Sequence, residues 1–343
     1  MESKDERKSA LIAWVRDYFA HQFTHQQINI QMMMPDASFR RYFRVHTPTG
    51  SFVAMDAPVA VEDCRPYVAV AAALREQGLN APIIFHQDLA QGFLLISDFG
   101  GATYLNTLNA QNVDHLYGQA LAALSVLQGC RHVPGHALSF FDDAFMWQEW
   151  VNHKIWFAEK YLALPSHTLS SALDDCMHSV IQRAVNQPQV FIHRDYHSAN
   201  LMVLPETSGV GLLDFQDALM GPVTYDLVSL LRDCYIDWSE AQVLAWVGQY
   251  HQQLKRQGVL SHVTLAEFHA WFDWMGVQRH LKALFIFARK AVRDHNPRYL
   301  NYVPRTLNYL KSVSEKYAAL APLNHYLTQA VAPALQARDV CVP

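Results

Sequence analysis

The spacing of hydrophobic residues divides the first part of the chain into one helix, several short strands and a second helix. Residues 8–20 repeat apolar side chains at helical spacing. Strand-like runs then follow near 28–34, 39–47, 51–57, 83–88 and 92–98, separated by turn residues. The second helix carries an apolar face at Tyr67, Val70 and Leu74, and Gly78 stands where a glycine commonly ends a helix. This order predicts a small β-rich lobe that contains one internal helix.

From Thr103 onwards the apolar spacing is mainly helical, and one segment interrupts it. Residues 189–215 carry two short strands, Asn200–Leu204 and Val210–Phe215, with a turn at Glu206–Gly209 between them. The second part of the chain is therefore predicted to be a helical lobe with an embedded hairpin.

The boundary between the two parts is predicted within Ser97–Gly101, where the strand pattern gives way to helix with two glycines between. We therefore expect an α+β, bilobal fold. Its small β-rich N-terminal lobe would span 1–98, and its larger helical C-terminal lobe would span 99–343. A chain of 343 residues is long enough for both lobes, and its charged fraction of 17% predicts much buried surface, including the walls of a cleft.

The charge and the cysteine content exclude several classes of protein. A formal net charge of −4 and a pI near 6.5 predict neither nucleic acid nor a membrane surface as partner. The polar N-terminus has no signal-peptide core, and no apolar run approaches the ~20 residues that a membrane helix needs. The five cysteines are odd in number and form no CxxC pair, so neither a disulfide framework nor a zinc cluster is expected. We therefore expect a cytoplasmic protein.

A polar loop between two apolar strands carries the strongest chemical signal. It contains His193, Asp195 and, five residues after the aspartate, Asn200, and Asp214 follows at the end of the next apolar strand. Phosphoryl transfer needs a carboxylate that orients the attacking hydroxyl and oxygen ligands that hold magnesium across the phosphates. A hairpin would bring Asn200 and Asp214 alongside each other. The pattern therefore supplies the groups that a magnesium-assisted phosphoryl transfer needs.

This HxDxxxxN…LDF arrangement resembles the catalytic and magnesium-binding motifs of the protein-kinase-like superfamily, and Gly221–Leu227 resembles its aminoglycoside phosphotransferase branch. This resemblance spans roughly residues 30–300. Several segments within it together are similar to one subfamily, the anomeric kinases for N-acetylmuramate and N-acetylglucosamine in bacterial cell-wall recycling. The segments that carry this narrower resemblance are Asp36–Arg44, Met55–Pro58, Glu62–Pro66, Leu213–Asp217, Tyr225–Ile236 and Gln278–Lys282.

The resemblance implies a protein-kinase-like fold and a role for each residue of the motif. Asp195 would be the catalytic base, and Asn200 and Asp214 would be the magnesium ligands. Asp226 would be a buried aspartate that hydrogen-bonds the backbone of the catalytic loop, in which His193 would be a structural residue. The rest of the C-terminal lobe would supply the acceptor pocket.

Two alternatives to these roles remain open from the residues alone. Asp226 could be only a favourable charge in the first turn of a helix. His193 and His197 could form a zinc site, although zinc-binding histidines at this spacing normally lie on a helix and this segment is predicted to be a loop.

The resemblance also implies that the N-terminal lobe, residues 1–98, binds the nucleotide. The segment between the lobes, with Ser97, Asp98 and Phe99, would present backbone groups to adenine. Ser38 and Val53 complete the expected contacts.

Two features depart from the superfamily pattern. The loop Pro35–Phe39, between the first two strands, has no glycine, and Met55 stands where the superfamily has its phosphate-binding lysine. A nucleotide-binding pseudokinase is therefore an alternative to an active kinase, although the base and both metal ligands are intact.

Strand parity suggests a replacement for the missing lysine. Arg41 shares one face of its strand with Val45, and if Val45 pairs with Val53, that face also holds the position of the lysine. Arg41 would then point toward the phosphates, whose oxygens suit an arginine fork. Arg40 and Arg44 would lie on the opposite face, toward solvent or substrate.

A helix predicted from about Phe268 to Arg293 carries several basic residues. They are Arg279, His280, Lys282, Arg289, Lys290 and Arg293. Such a face is commonly only solvated, but here it could contribute to the cleft, where an arginine could bind the lactyl carboxylate of muramic acid with two hydrogen bonds. Arg279 and His280 are the candidate substrate contacts.

The expected reaction is therefore transfer of the γ-phosphoryl group of ATP to the anomeric hydroxyl of N-acetylmuramate or N-acetylglucosamine. The expected partner is this small amino sugar, and a monomer is favoured, with the oligomeric state left open. An aminoglycoside, choline or homoserine kinase is the alternative within the superfamily. The basic helix argues mildly against it, because those substrates are cationic.

Overall fold

The chain was analysed as a computed structural model, which describes residues 4–33, 39–204 and 209–338. It divides into two compact units. Unit 1 consists of Met1–Ala123, His132–Leu138 and Asn200–Asp217. Unit 2 consists of Leu124–Arg131, Ser139–Ala199 and Ala218–Pro343. The units are not contiguous in sequence, so they differ from the two contiguous lobes, 1–98 and 99–343, that the hydrophobic pattern suggested.

The strands of the described residues are, in chain order, β1 Asn29–Met32, β2 Arg41–Thr47, β3 Gly50–Asp56, β4 Ile84–Asp88, β5 Phe93–Ser97, β6 Gln189–Ile192, β7 Leu201–Val203, β8 Val210–Leu212 and β9 Leu219–Pro222. The first five form an antiparallel sheet in the order β1-β2-β3-β5-β4. β6 pairs with β9, and β7 pairs with β8, both antiparallel. The predicted strands of the first part are confirmed to within two residues at each end.

The α-helices of the described residues are α1 Lys4–Phe19, α2 Arg65–Glu76, α3 Tyr104–Thr107, α4 Val113–Gln128, α5 Asp143–His153, α6 Ser171–Val185, α7 Tyr225–Leu231, α8 Glu240–Arg256, α9 Leu265–Val292, α10 Val303–Lys316, α11 Ala321–Tyr326 and α12 Ala332–Gln336. α5 continues as a π-helical segment, Lys154–Tyr161. α2 is followed by Gly78 at φ +78°, as predicted for a helix that ends on a left-handed residue. No helix within the described ranges is both long and apolar enough to span a lipid bilayer.

In unit 1, α1 covers one face of the five-stranded sheet. Its apolar residues Leu11, Val15 and Phe19 pack with Phe43 and Val45 of β2 in one buried cluster. The helical spacing of the first three and the alternation of the last two explain why they meet. The face of the sheet that carries Phe43 is therefore committed to the core beneath α1.

The hairpin β7–β8 belongs to unit 1 although it lies far along the chain. Thr103 forms an isolated bridge with Met202, and Asn80 forms another with Gly211. A Cβ on Gly211 would come within 2.9 Å of the Phe99 ring, so only glycine permits this close approach. These long-range pairings explain why the discontinuous units could not be inferred from local patterns.

In unit 2, α9 lies at the centre of the core. Every residue from Phe272 to Phe285 is buried, because α9 packs against α5, α6, α7 and α10. The predicted helix is confirmed, but the basic residues in its middle do not form a solvated face. Their charges are held inside unit 2.

Candidate active site

The loop that carries Asp195 is anchored at its start by a buried aspartate. β6 ends at Ile192, and Asp226 accepts hydrogen bonds from the backbone N–H groups of His193 (2.6 Å) and Arg194 (3.0 Å). Burial raises the pKa of Asp226 to about 7, and the two N–H donors oppose that rise. Asp226 therefore hydrogen-bonds the backbone of the loop, as the resemblance implied. It is more than a favourable charge in the first turn of α7.

A second buried aspartate anchors the end of the same loop. Asp233 accepts hydrogen bonds from the backbone N–H (2.9 Å) and the hydroxyl (2.5 Å) of Ser198, and its other oxygen accepts from the N–H of Tyr235. Asp226 and Asp233 thus fix the two ends of the loop. His193, at the start of the loop, is fully buried, as expected of a structural residue.

Asp195 lies between these anchors and faces a buried lysine. The Nζ of Lys282 is 3.2 Å from Oδ1 of Asp195, and the side chains are 7% and 36% exposed. Burial acts to raise the pKa of Asp195, but the positive charges of Lys282, His197, Arg194 and Arg279 outweigh it and hold that pKa well below its usual value. Asp195 is therefore ionised at neutral pH and can accept a hydrogen bond from a hydroxyl.

Arg194, the residue before Asp195, is paired with an acidic side chain of α5. Its Nη2 donates to Glu149 at 3.2 Å, and Gln278 of α9 donates to the other oxygen of Glu149 at 2.7 Å. The backbone of Arg194 has φ +75°, a conformation that L-residues rarely adopt. The loop is thus tied to α5 and α9 through side chains as well as to Asp226 through its backbone.

A cavity of about 330 Å³ in unit 2 opens beside these residues. Arg194 and Lys282 contribute to its wall, so the lysine that contacts Asp195 also lines the cavity. The remaining lining residues are Phe145, Gln148, Glu149, Asn152, Phe285, Ile286 and Arg289. Six of the nine lining residues are polar or charged and three are apolar, so the wall offers several hydrogen-bonding groups to a polar small molecule.

In unit 1, the hairpin β7–β8 carries the two expected metal ligands. Leu201 pairs with Leu212, and the N–H of Leu213 donates to the carbonyl of Asn200 at 3.0 Å. This pairing places Asn200 and Asp214 at the same open end of the hairpin, as predicted. Asp214 has φ +62°, which aspartate tolerates better than most residues.

The side chain of Asp214 is half exposed and is flanked by two other groups. Gln216 donates to its Oδ1 at 2.7 Å, and Nη1 of Arg40 is 4.0 Å from the same oxygen. Phe215, the next residue, is buried and its ring stacks on Tyr67 at 4.9 Å between centroids. The buried phenylalanine fixes the backbone, while the carboxylate of Asp214, 48% exposed, stays accessible.

The donors at this end of the hairpin fit magnesium better than zinc. An amide oxygen and a half-exposed carboxylate are hard oxygen ligands, and Mg²⁺ is usually held by one or two such groups together with waters and phosphates. Within the described ranges, no three His, Cys, Asp or Glu side chains are grouped so that they could hold a metal ion. The residues present therefore suit a metal that arrives with a phosphate ligand.

The expected adenine-binding segment after β5 is braced by an arginine of β2. Arg44 contacts Asp98 through Nε (2.7 Å) and donates through Nη2 to the carbonyl of Gly100 (2.8 Å). Ser97 accepts the N–H of Ile83 on its hydroxyl and donates its own N–H to the Ile83 carbonyl. Asp98 and Ser97 therefore stabilise the segment through their side chains, and adenine binding by its backbone stays a prediction.

The predicted pairing of Val45 with Val53 is wrong by one residue. The turn between β2 and β3 holds only Pro48 and Thr49, so Val45 pairs with Phe52 and Arg44 pairs with Val53. A slip of one residue exchanges the two faces of a strand. The face of Met55 and Val53 therefore holds Tyr42 and Arg44.

Arg41 consequently lies on the face that α1 covers. It forms an ion pair with the buried Asp56, which also binds Arg7 of α1 at 2.5 Å. The parity argument that directed Arg41 toward the phosphates thus loses its basis. Its own ion pair gives Arg41 a structural role.

Arg40, immediately before β2, occupies the position that parity had assigned to Arg41. Its side chain is 9% exposed, and its Nη2 donates to Glu62 at 2.9 Å while Nη1 approaches Asp214. Val53 is buried in β3, and Ser38 lies outside the described residues. Arg40 therefore places a positive charge 4.0 Å from Oδ1 of Asp214, an expected metal ligand.

The two candidate substrate contacts on α9 are buried against α7. Arg279 donates to the hydroxyl of Ser229 at 2.6 Å, and the ring of His280 bonds the carbonyl of Arg232 and stacks on Tyr309. Neither lines the cavity of unit 2. The structure gives them supporting contacts, and the basic residues of α9 that do line the cavity are Lys282 and Arg289.

A sequence profile of the phosphotransferase enzyme family matches residues 34–259, which include the catalytic loop, both expected metal ligands and the arginines of β2. The chain belongs to this family. It is 42% identical to an N-acetylmuramate/N-acetylglucosamine kinase of Pseudomonas putida over 86% of each chain. It is 35% identical to one of Neisseria meningitidis over 95% of this chain and 96% of the relative. The resemblance stated from the sequence motifs is confirmed.

The solved structures confirm the fold. An ethanolamine kinase of Plasmodium vivax superposes with a TM-score of 0.62 at 12% identity, over 96% of this chain and 98% of that one. Its identity is too low to carry more than the architecture. The α+β, bilobal, protein-kinase-like fold and the assignment as a phosphotransferase both stand.

Three contacts of the candidate site could not be predicted from the sequence motifs. They are the pairs Lys282–Asp195, Asp233–Ser198 and Arg40–Glu62. Each joins residues that are far apart in the chain. Met55, at the expected lysine position, is fully buried in β3 and paired with Tyr42 and Leu94. The lack of a charged side chain at position 55 indicated that another cation would have to contact the phosphates. Only the pairing of β2 with β3 shows which arginine is placed to do so.

Proposed function

We propose that this phosphotransferase moves the γ-phosphoryl group of ATP to the anomeric hydroxyl of N-acetylmuramate or N-acetylglucosamine, giving the sugar 1-phosphate and ADP. The observation that carries the proposal is Asp195, an ionised carboxylate at the tip of an anchored loop, whose partner Lys282 also lines a sugar-sized cavity. The relatives named for these two sugars support the choice of acceptor.

Asp195 would accept the hydrogen bond of the attacking hydroxyl and take its proton as the new bond forms. The bond between phosphorus and the anomeric oxygen forms while the bond between phosphorus and the β,γ-bridging oxygen breaks, and that oxygen leaves with ADP. A carboxylate of low pKa is a weak base, but phosphoryl transfer depends more on position and charge than on base strength. An anomeric hydroxyl is also more acidic than an ordinary alcohol, so a weak base suits it.

Lys282 would keep Asp195 ionised and turned toward the acceptor. Asn200 and Asp214 would hold Mg²⁺, which neutralises phosphate charge in this reaction. Arg40, positioned by Glu62, would supply the phosphate contact that the family's lysine makes elsewhere. A cytoplasmic location, where ATP is available, belongs to the same proposal.

The balance of charge in unit 2 does not favour a cationic acceptor. Arg194, Lys282 and Arg289 line the cavity, and Glu149 is the acidic residue among its lining groups. Glu149 is already paired with Arg194. A choline- or aminoglycoside-like substrate would therefore meet excess positive charge.

The roles of Arg40 and Arg41 can be separated by alanine substitution. We expect Arg40→Ala to raise KM for ATP about tenfold or more, because it removes the cation beside Asp214. Arg41→Ala should leave KM within about twofold but lower the free energy of unfolding by about 1–3 kcal/mol, since Asp56 loses one of two partners. Initial-rate kinetics and urea denaturation test both. An Arg41→Ala variant with the larger KM effect would restore the original assignment.

The acceptor atom can be identified from the product. Incubation with ATP, magnesium and either sugar should give a product whose anomeric proton couples to phosphorus by NMR and which no longer reduces copper reagents. The open-chain alditol, which keeps the 3-, 4- and 6-hydroxyls and the N-acetyl group, should not be a substrate. A phosphorylated product with a free reducing end would refute the anomeric assignment but leave a sugar kinase.

The same assay distinguishes the alternatives. Turnover of a cationic acceptor but of neither sugar would indicate a different small-molecule kinase. ATP binding without turnover of any acceptor would indicate a pseudokinase.

A further inference from the structure

Three cations line the cavity of unit 2 among the described residues, and Arg289 is the one that forms no ion pair with a carboxylate. Lys282 is paired with Asp195, and Arg194 is paired with Glu149. Arg289 lies seven residues after Lys282 on α9, so both project from nearly the same face of the helix, about 10 Å apart along its axis. The wall of the cavity thus carries Lys282, which contacts Asp195, and, further along α9, Arg289.

The surroundings of the Arg289 guanidinium favour binding of an anion. Its Nε is buried and has no hydrogen-bond acceptor among the described residues. Its plane lies near the ring of Phe285, with Cζ 5.8 Å from the ring centroid. Burial and the neighbouring Arg293 lower the pKa of Arg289, and the opposing effect of Asp294 is smaller, so the environment as a whole disfavours its charge and an anionic ligand would relieve that cost.

We propose that Arg289 forms a subsite for a carboxylate carried by the acceptor, and that this subsite recognises the lactyl group of N-acetylmuramate. The proposal rests on the proposed function, which places the anomeric hydroxyl at Asp195. In this sugar the lactyl ether is attached at C3, separated from the anomeric carbon by one ring atom, so its carboxylate extends away from the reacting hydroxyl. An arginine binds a carboxylate with two parallel hydrogen bonds, and the orphaned Nε is one of the donors that this geometry uses.

The subsite explains how one cavity could accept two sugars of different charge. N-acetylglucosamine lacks the lactyl group, so Arg289 would be hydrated in its complex. N-acetylmuramate would gain a charge-assisted interaction at a position remote from the transferred phosphate. Such an interaction strengthens binding of the substrate and of the transition state alike, so it changes KM and leaves kcat nearly constant.

The test compares Arg289→Gln with wild type on both sugars and on the methyl ester of N-acetylmuramate. For Arg289→Gln we expect KM for N-acetylmuramate to rise about tenfold, with kcat and all constants for N-acetylglucosamine within about twofold. In wild type, the methyl ester should show the same tenfold increase in KM, and Arg289→Gln should not distinguish ester from acid. Arg256→Gln, the same change at an exposed arginine in the last turn of α8 in unit 2, is the matched control and should behave as wild type.

Equal losses for both sugars in Arg289→Gln, or equal KM values for ester and acid in wild type, would overturn the subsite. Titration of free N-acetylmuramate by calorimetry provides a measurement that does not need turnover. If wild type phosphorylates neither sugar, the proposed function fails, and the calorimetric comparison still decides the subsite. Tenfold weaker binding to Arg289→Gln than to wild type would support it, and equal affinities would refute it.

Discussion

The Asp195→Asn variant should lose about three orders of magnitude in kcat and keep its affinity for ATP within about threefold. Asparagine preserves the shape of the side chain but removes both the negative charge and the proton-accepting oxygen. General-base catalysis by a positioned carboxylate commonly contributes 10²–10⁴-fold, so a loss of about 10³, or about 4 kcal/mol of barrier, is expected. Single-turnover kinetics and a nucleotide titration measure the two quantities separately.

The control for this prediction is Asp175→Asn, the same change at an exposed position of α6 in unit 2. It should leave kcat unchanged. Asp195→Asn also leaves Lys282 without its carboxylate partner, so the thermal stability of both variants should be measured alongside activity. A folded Asp195→Asn enzyme that kept more than about a tenth of its kcat would remove Asp195 from the role of base.

The second large effect is expected at Asp214. Asparagine is the appropriate replacement, because residue 214 has φ +62° and asparagine tolerates this conformation while alanine does not. Loss of the ligand charge should lower kcat at least 100-fold and raise the magnesium concentration at half-maximal activity. Asn200→Ala should shift the magnesium midpoint in the same direction by a smaller amount, because an amide contributes no charge to the metal.

A magnesium titration of initial rates at saturating ATP gives both values. Asp17→Asn, at an exposed position of α1 in unit 1, is the matched control. An unchanged magnesium midpoint in either variant would mean that the substituted residue is not a ligand.

The strands of unit 1 were predictable because period-two alternation is a local property of the sequence. The pairing between β2 and β3 was not, because it depends on the turn between them. A turn of two residues rather than three moves every partner by one position, which transfers Arg41 from one face of the sheet to the other. The choice between Arg40 and Arg41 as the phosphate-binding arginine therefore depended on the number of residues in one turn.

The motif itself located Asp195, Asn200, Asp214 and Asp226, because residue types at fixed spacing identify a loop and a hairpin. It could not locate Lys282, which is 87 residues from Asp195 in the chain. The helix that carries Lys282 is apolar on most sides through its middle, so its hydrophobic pattern did not show which residues face the loop. Recognising that Arg279 and His280 are turned toward α7 required the packing of α9 itself.

The arrangement of α9 has a consequence for how relatives of this enzyme can diverge. Its middle section, Phe272–Phe285, is enclosed by four other helices and holds the partners of the catalytic loop, so most substitutions there would disturb folding and chemistry together. Its last turns carry Arg289, which lines the cavity beyond the enclosed section. Substitutions in the last turns of α9 could therefore change the acceptor preference, while purifying selection preserves the enclosed section Phe272–Phe285.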